Sequence, residues 1–356
     1  MTQLNLPSAS TQFNKNGPEL QDAEQYRAPP WLPGGNLQTI YPYLIQPGSK
    51  ITYRRERWEH EDGDFIDVDW LDGSTNAPLV VLFHGLEGGS QSHYVLSIMN
   101  TLQNAGWRGA VIHFRGCSGL PNRLPRAYHA GDSDEINWML HRVFWESQLL
   151  DSETPLYTIG VSLGGNALLK WLGEQGEKAC QIITAAAAVS VPLDLSAAGA
   201  ALDKGFNQFY TRHFLSTLKY KMLEKMDRFP GLLDAKAIAA CNTLYQFDNL
   251  ATAPLHGFRD TEEYWEQSSS KPWLKHIKVP TLVINARNDP FMPASALPAQ
   301  EEVSPTVTLA FPEEGGHAGF LHAPFPGKLT WLPNKILSFF KLQENNNDDA
   351  TTRESP

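Results

Sequence analysis

The sequence predicts an α/β fold in which a mostly parallel central sheet carries helices on both faces. Continuous apolar runs, such as residues 79–83, are typical of strands that are buried on both faces. Helical patterns separate these runs, which is the order that parallel strands require. A glycine-flanked turn after residues 156–159 leads from a strand directly into a helix. With 356 residues, 42% of them hydrophobic, the chain can form one large domain with an insertion.

The predicted elements follow one another in a regular order. Two N-terminal segments alternate apolar and polar residues, as half-buried antiparallel strands do. After them, buried strands and helices alternate as far as a closing helix. The antiparallel strands are predicted at 51–53 and 65–70, the later strands at 79–83, 109–114, 156–159, 181–189, 279–286 and 306–311, and the helices at 94–104, 132–145, 166–172 and 332–340.

Residues 191–278 interrupt this alternation, because they are helical and aromatic in pattern and contain no strand signal. Since they fall between two predicted strands, we interpret them as a helical cap over the carboxyl edge of the sheet. An ordinary helical layer on one sheet face is the alternative. Aromatic residues in this insertion share one helical face by their spacing, and they are predicted either to line a pocket or to form core packing. They are Phe206, Phe209, Tyr210 and Phe214.

The two ends of the chain are polar. We predict a flexible N-terminal segment at 1–25, the folded domain at 26–342 and a disordered tail at 343–356. No stretch has the pattern of a signal peptide or the length, about 18 apolar residues, of a transmembrane helix. Three widely spaced cysteines without a CxxC pair predict a reducing compartment. The sequence therefore predicts a cytoplasmic protein with no integral membrane segment.

The charge balance limits the classes of partner. The chain has 29 basic and 39 acidic residues, a formal net charge of −10. This excess argues against nucleic acid or an anionic membrane surface as the main partner. No histidine pair has metal-ligand spacing on a helix, and the glycines at 85, 88 and 89 lack the lysine of a P-loop and the third spaced glycine of a dinucleotide-binding motif. We therefore expect no metal and no cofactor.

The stretch GVSLGGN, residues 160–166, has the spacing G-x-S-x-G of a nucleophile elbow. In this motif a strand turns so sharply into a helix that the serine, here Ser162, is exposed at the tip. Glycines flank it because side chains there would collide with the neighbouring strand and helix. The alternative is an ordinary loop, since glycine and serine are common in turns. The strand before the motif and the helix after it favour a nucleophile.

A serine nucleophile needs a base, and the base needs an orienting acid. In the elbow architecture the chain order is serine, acid, histidine. Asp289 lies three residues past the predicted strand at 279–286, and His317 lies in a glycine-flanked loop after the strand at 306–311. A turn aspartate before proline and an ordinary loop histidine are the alternatives. We predict a catalytic triad of Ser162, Asp289 and His317.

Acyl chemistry also needs N–H groups directed at the oxyanion. One predicted donor is the backbone N–H of Leu163, immediately after the nucleophile. The other belongs to the loop after the strand at 79–83, and we assign it to Leu86. His84 in the same loop precedes the serine in the chain, so we predict that it braces the loop.

Other candidate residues are weaker. Asp248 and Asp260 are alternative acids, but both lie in the insertion and not at a strand end. Cys117, in HFRGCSG, has no histidine partner with supporting context. His129 and Asp134 match the acyltransferase spacing HxxxxD, but the acids there open a helix and have a capping role.

Eight motifs span about residues 30–340, and in chain order they are PWLPGGNLQTIYPYL, FHGLEGG, HFRGCSGLPNR, YHAGDSDEI, GVSLGGN, FDNLATAPLHGF, ARNDPFMP and GGHAGF. Taken together, they resemble those of the YheT-like (AB hydrolase 4) branch of the α/β-hydrolases. The resemblance implies the α/β-hydrolase fold, the same three triad residues, and hydrolysis of short-chain carboxylic esters or monoacylglycerols, with acyl transfer to alcohols in some relatives. The departures, in FDNLATAPLHGF and at the glycine after Gly88, do not touch the triad.

The leading hypothesis is a cofactor-free serine esterase that forms an acyl-enzyme with a small-molecule ester, for which a lipid-derived ester is one candidate. An alcohol acyltransferase using the same triad is the first alternative. A non-catalytic binding protein is the second, because a fold alone guarantees no chemistry. The presence of all three triad residues favours catalysis.

Overall fold

The computed structural model describes residues 26–45, 51–151 and 154–353. The strands are β1 (Arg54–Glu59), β2 (Phe65–Leu71), β3 (Leu79–Phe83), β4 (Arg108–Ile112), β5 (Leu156–Val161), β6 (Ala185–Val189), β7 (Thr281–Ile284) and β8 (Val307–Ala310). The α-helices are α1 (Gly35–Leu44), α2 (His93–Asn104), α3 (Ser133–Leu150), α4 (Leu163–Gln175), α5 (Leu195–Leu202), α6 (Gln208–Arg228), α7 (Ala235–Ala240), α8 (Leu244–Phe247), α9 (Ala253–Leu255), α10 (Thr261–Ser268) and α11 (Trp331–Arg353). Short 3₁₀ helices occur at Gly176–Gln181, Gly205–Asn207, Lys271–His276, Ala294–Ala296 and Gln300–Glu302, and a π-helical turn at Asp248–Thr252.

The strands form one eight-stranded sheet in the order β1-β2-β4-β3-β5-β6-β7-β8. The pairs β1–β2 and β2–β4 are antiparallel, and every later pair is parallel. This topology confirms the predicted fold class. Because β5, β7 and β8 run in parallel, the loops that follow them meet at one edge of the sheet.

The first strand differs from the prediction. Residues 51–53 are not in a strand, and β1 instead covers the charged sequence RRERWE, in which only Trp58 is buried. The strand lies at the edge of the sheet, where charged side chains protect the unpaired backbone from other chains. A mostly exposed edge strand has no apolar alternation, so the sequence pattern did not reveal it.

The central strands contribute to a separate core on each face of the sheet. On β3, Val81 and Phe83 pack with residues of α3 and α4. The alternating residues Val80 and Leu82 pack with residues of α2 and α11 on the opposite face. Both sets are fully buried. Helices therefore cover both faces, as the continuous apolar runs predicted.

The insertion between β6 and β7 contains α5 to α10, and no strand occurs within its described residues. It has a small core of its own, to which Leu215 and Met222 of α6 contribute together with Ile238 and Phe247. These four side chains are almost completely buried. Part of the apolar surface of α6 therefore packs within the insertion itself.

The two predicted ends have different outcomes. The N-terminal segment 1–25 lies outside the described residues. At the other end α11 continues to Arg353, so residues 343–353 are helical where a disordered tail was predicted. Adding one hydrogen bond per residue to an existing helix costs little, even where the sequence is polar. Among the residues that the structure describes, none of the helices combines the length and apolar character needed to cross a bilayer.

Candidate active site

Ser162 stands at the turn between β5 and α4 with φ 54° and ψ −121°. A non-glycine residue adopts positive φ at a cost in strain, which the surrounding contacts must impose. Those contacts are close, because a Cβ on Gly164 would lie 2.5 Å from the carbonyl oxygen of His84. A Cβ on Gly160 would lie 2.6 Å from the Cα of Gly165. Glycines are therefore required at 160 and 164, because a side chain there would prevent α4 from packing closely against β5 and the loop after β3, as the sequence predicted.

The structure brings together the three residues predicted as a triad. The Ser162 hydroxyl lies 3.0 Å from Nε2 of His317, and Nδ1 of His317 lies 2.9 Å from Oδ2 of Asp289. An ionised carboxylate only accepts hydrogen bonds, so Nδ1 carries the proton and Nε2 is free to accept from the serine. Asp289 is 5% exposed, and its Oδ1 accepts from the N–H of Phe291 at 2.8 Å. The carboxylate is thus fixed on both oxygens.

Helix α1 holds the loops that carry the acid and the histidine. The buried Gln38 accepts through Oε1 from the N–H of Gly315 and from Nδ2 of Asn288, each at 2.9 Å. Asn288 Oδ1 in turn accepts from the N–H of Gly316 at 3.0 Å. Thr39 Oγ1 accepts from the N–H of the histidine itself at 2.9 Å. The sequence analysis missed these residues, because nothing in the local pattern indicates a contact across about 250 positions.

Ser190, the residue after β6, supports the same loop from the other side. It has φ 50°, and its hydroxyl accepts from the N–H of Ala318 at 2.9 Å. The Phe291 ring lies 4.2 Å, centroid to centroid, from the imidazole of His317. The histidine is therefore held by hydrogen bonds on its backbone and by an aromatic ring on its side chain.

Of the two predicted oxyanion donors, Leu163 directly follows Ser162, and Leu86 lines the same cavity as the serine. Leu163 is the first residue of α4, a position whose N–H has no acceptor within the helix. Leu86 lies in the loop after β3, which approaches so closely that a Cβ on Gly85 would be 3.1 Å from Cβ of Ser162. His84 is fully buried, and its Nε2 accepts from the N–H of Phe114 at 3.2 Å. This contact ties the loop to the segment after β4.

A cavity of about 590 Å³ opens onto Ser162 and His317. Its walls come from the sheet edge and from the insertion, including α6. Most of the lining is apolar, which suits a hydrocarbon group of a ligand. The larger apolar residues of the lining are Leu195, Leu202, Phe214, Leu218, Met222, Leu244, Phe247, Leu255 and Trp265.

One wall of the cavity is polar. Glu87, which follows Leu86 and has φ 57°, accepts a hydrogen bond from the Tyr128 hydroxyl at 2.8 Å. Its second oxygen lies 2.8 Å from Nζ of Lys221 in α6. The Tyr128 hydroxyl also accepts from the Glu87 N–H at 2.9 Å. These hydrogen bonds and the ion pair connect the loop after β3 to helix α6 of the insertion.

Comparison with known proteins places the chain in a family. A profile described as "alpha/beta hydrolase fold" matches residues 78–324. The chain belongs to the α/β-hydrolase family. YheT of Escherichia coli (strain K12), named as a candidate esterase, is 37% identical over 85% of this chain and 88% of its own length. Human "Phospholipase ABHD3" is 28% identical over 89% of this chain and 78% of its own length. The predicted YheT-like branch is confirmed.

Solved structures agree with the α/β-hydrolase fold. The esterase Pf2001 of Pyrococcus furiosus has a TM-score of 0.52 at 16% identity, covering 83% of this chain and 97% of that one. Est1E of Butyrivibrio proteoclasticus, solved with ferulic acid bound, has a TM-score of 0.51 at 14% identity, covering 83% and 99%. At these identities the likeness shows the fold alone. By fold and relatives together, the chain is an esterase-like hydrolase.

The alternative acids of this α/β-hydrolase are occupied elsewhere. Asp260 caps α10, where its Oδ1 accepts from the N–H of Glu263 at 2.9 Å. Asp248 accepts from Nε1 of Trp265 at 2.8 Å and also from Thr252. Neither acid contacts the imidazole of the predicted triad. The sequence argument that favoured a strand-end acid therefore selected the residue that the fold brings to the histidine.

The remaining candidates of the α/β-hydrolase lie near the cavity without reactive geometry. Burial raises the pKa of the Cys117 thiol to about 12, which keeps it protonated at neutral pH. Nε2 of His129 lies 3.9 Å from Asp132, and burial lowers the pKa of this histidine to about 3. Within the part of the chain that the structure describes, His, Cys, Asp and Glu side chains form no cluster of three that could hold a metal ion.

The four aromatic residues predicted to share one face separate in the structure. Phe214 lines the cavity, and Tyr210 is buried in a small cluster with Phe291. Phe206 and Phe209 are instead 56% and 58% exposed and line neither cavity nor core. Both interpretations offered for these two residues are therefore wrong. Phe206 lies in the 3₁₀ turn before α6 and Phe209 in the first turn of α6. Their rings pack against each other and against Tyr210 at the surface.

Proposed function

We propose that the chain is a serine esterase that cleaves carboxylic esters through a triad of Ser162, His317 and Asp289. The observation that carries the proposal is the hydrogen-bonded chain from the serine hydroxyl through the imidazole to the buried carboxylate. The serine stands at a strained strand-to-helix turn, as a nucleophile does in this fold. The arrangement can supply a nucleophile, a general base and an orienting acid.

In the first half of the reaction, Ser162 Oγ attacks the ester carbonyl carbon while Nε2 of His317 takes the hydroxyl proton. The carbonyl π electrons move to oxygen, and this oxyanion accepts from the N–H groups of Leu163 and Leu86. Asp289 stabilises the imidazolium and keeps its orientation. When the tetrahedral intermediate collapses, the alcohol leaves with the proton from Nε2. The acyl group then remains on the serine as an ester.

In the second half, water replaces the alcohol. His317 takes a proton from the water, and the oxygen attacks the acyl carbon of the ester on Ser162. The new oxyanion uses the same two N–H groups as the first one. Collapse returns the proton from the imidazole to the serine oxygen and releases the carboxylic acid. No external oxidant, reductant or metal enters this sequence.

The cavity supports an ester with a hydrocarbon acyl group as the substrate. Its volume of about 590 Å³ exceeds what an acetyl group needs, and its apolar walls favour methylene groups by about 0.8 kcal/mol each when buried. The polar wall at Glu87 and Lys221 offers hydrogen-bonding groups to an alcohol moiety. We therefore propose a lipid-derived carboxylic ester, with acylglycerols included in the class, ahead of the shortest esters.

The experiment that tests the function is a series of p-nitrophenyl esters from acetate to palmitate, measured with wild type and Ser162→Ala. Loss of the nucleophile should lower kcat by at least about a thousandfold. Ser216→Ala, an exposed serine of α6, is the matched control and should retain wild-type rates. A fluorophosphonate probe should label Ser162 alone. Full activity in Ser162→Ala, or a labelled residue elsewhere, would overturn the proposal, and inactivity of the wild type towards every ester would favour a binding protein.

Acyl transfer to an alcohol is the second candidate function. The observation that favours it is a relative of Saccharomyces cerevisiae (strain ATCC 204508 / S288c) named "Medium-chain fatty acid ethyl ester synthase/esterase 2", 28% identical over 92% of this chain and 88% of its own length. An alcohol would replace water in attacking the same acyl-enzyme. Adding ethanol to the assay separates the two: ethyl esters should form faster than free acid for a transferase, and slower for an esterase.

We also propose a cytoplasmic location. The cysteines at 117, 180 and 241 are all unpaired, which is how a reducing compartment keeps them. Fractionation of cells that express the full chain, with antibody detection, tests the location. Recovery of the protein in neither the cytoplasmic fraction nor the membrane fraction would contradict the proposed location.

A further inference from the structure

Two large aromatic side chains at the start of the insertion have no role in either the cavity or the core. Phe206 and Phe209 are more than half exposed, and their rings stack with centroids 5.9 Å apart. Scattered exposed apolar residues are common on protein surfaces, but a contiguous group marks an interaction site. The pair belongs to such a group.

The group extends onto α1. The Tyr210 hydroxyl lies 3.0 Å from Oδ1 of Asn36, and the ring of Tyr43 lies 6.2 Å from that of His213. Helix α1 and the start of α6 are therefore neighbours. The exposed apolar residues of α1 lie beside these contacts, with exposed fractions of 50% for Leu37, 62% for Tyr43 and 69% for Leu44. We name the surface formed by Leu37, Tyr43, Leu44, Phe206 and Phe209 the aromatic face.

Two side chains, Tyr210 and Phe291, connect the aromatic face to the triad. Tyr210, next to Phe209 in the chain, packs on Phe291 with ring centroids 4.8 Å apart. Phe291 packs on His317 with centroids 4.2 Å apart. The aromatic face is therefore in contact with the imidazole of His317 through a short series of packed rings.

The charge around the aromatic face differs from that of the whole chain. Residues 204–223 contain four lysine or arginine residues and no aspartate or glutamate. Of these cations, Lys204 and Arg212 are exposed, and they flank Phe206 and Phe209 in sequence. Residues 28–45, which include α1, contain no charged residue. The surface thus combines aromatic and aliphatic side chains with a local excess of positive charge, although Asp203 directly precedes Lys204.

We propose that the aromatic face docks the protein on an anionic lipid surface. Aromatic and leucine side chains enter the boundary between headgroups and acyl chains, and basic residues at its rim contact the lipid phosphates. Each basic residue near an anionic surface strengthens this attraction. A second copy of this chain would bring the same cations against each other, whereas an anionic bilayer complements them.

The net charge of −10 does not oppose this docking. Screening limits each charge to about 8–10 Å at physiological ionic strength, so a lipid surface senses the residues that face it and not the chain average. The net charge alone argued against an anionic membrane surface as a partner, and it is an average over the whole chain. The local segment 204–223 carries the opposite sign.

Co-sedimentation with vesicles tests the proposal without any enzymatic reaction. The full chain is mixed with vesicles of phosphatidylcholine alone, or of phosphatidylcholine and phosphatidylglycerol in equal parts. We expect binding to the vesicles with phosphatidylglycerol. The double variant Phe206→Ser/Phe209→Ser should bind both kinds of vesicle at least about tenfold more weakly. Arg212→Glu should lose affinity only for the anionic vesicles.

The matched control is Trp145→Ser, because Trp145 is also 63% exposed but lies on α3, outside the aromatic face. It should bind vesicles like wild type. All variants should keep the wild-type rate on p-nitrophenyl acetate and the wild-type Tm, since none of the changed residues lines the cavity. Absence of vesicle binding in the wild type, or equal binding by the double variant, would overturn the proposal. A concentration-dependent dimer that the double variant abolishes, without vesicle binding, would assign the face to a second copy.

Discussion

At the residue scale, the backbone around Ser162 depends on glycines that no other residue can replace without movement. A Cβ on Gly164 would lie 2.5 Å and 2.6 Å from the carbonyl oxygens of His84 and Phe83. Both oxygens belong to the main chain, which cannot rotate away as a side chain can. The strain at the serine is therefore maintained by the packing of α4 against the end of β3.

Gly164→Ala is accordingly expected to destabilise the fold by about 1–3 kcal/mol and to lower kcat, because helix and loop must separate. Gly73→Ala is the control, since its Cβ would lie 3.2 Å from the Arg108 side chain and no closer than 3.9 Å to a main-chain oxygen. Urea unfolding and ester hydrolysis measure the two effects. Unchanged stability in Gly164→Ala would contradict the packing argument.

Gln38 acts at the residue scale by holding the loops of the acid and the histidine. Gln38→Leu keeps the volume and removes the bonds to Gly315 and Asn288. We expect kcat to fall by about tenfold to a hundredfold with KM nearly unchanged, because the imidazole loses its position. Gln38→Glu retains an acceptor oxygen for the Gly315 N–H and should recover part of kcat. A rise in KM with constant kcat would instead assign Gln38 to substrate binding.

At the element scale, helix α6 contributes side chains to the exposed surface, to the cavity and to the core of the insertion. Its first turn exposes Phe209, its next turns place Phe214 on the cavity, and Leu215 faces the core of the insertion. Regular helical spacing predicted one apolar face for the aromatic residues. The sequence could not show that these aromatic residues face different surroundings. Their burial depends on the contacts that α1 and the loop after β7 make with each turn of α6.

The two neighbouring positions of α6 give a direct test. Phe214→Ala enlarges the cavity and should shift the preferred acyl chain towards longer esters, with each added methylene worth about 0.8 kcal/mol. Leu215→Ala, 4% exposed, should cost about 2–5 kcal/mol of stability and leave the preference unchanged. The ester series and Tm measure both. If Phe214→Ala lost stability like the control and kept the wild-type preference, the acyl pocket would lie elsewhere.

At the scale of the whole molecule, the sheet explains why much of the site was predictable. Ser162, Asp289 and His317 each follow a strand, and apolar runs mark β5, β7 and β8 in the sequence. Parallel order then brings the three loops to one edge. Gln38 and Thr39 were not predictable in this way, because they belong to α1 and reach the site only through tertiary packing. The exposed strand β1 and the last turns of α11 likewise lack a core-facing pattern.

Buried histidines make the stability of the whole molecule depend on pH. Burial lowers the pKa of His84, His129 and His256 to about 3 and that of His93 to about 4. The unfolded value is about 6.5. Because the pKa values are lower in the folded protein, the unfolded chain binds more protons than the folded protein between about pH 6.5 and the folded pKa values. Stability is therefore fully present above about pH 6.5 and is lost as the pH falls.

Urea unfolding between about pH 8 and pH 5 should show this loss, with each buried histidine contributing up to about 1.4 kcal/mol per pH unit below about pH 6.5. His256 is the most informative of the four, because neither of its ring nitrogens has a hydrogen-bond partner among the described residues. His256→Phe should raise stability at neutral pH and reduce the slope, since it removes an unsatisfied buried group. His276→Asn, at an exposed position, should retain the wild-type slope. If stability depended on pH as steeply in His256→Phe as in wild type, the His256 ring would reach water in the folded protein. The contact between the rings of His256 and His129, 4.4 Å between centroids, would then open before the protein unfolds.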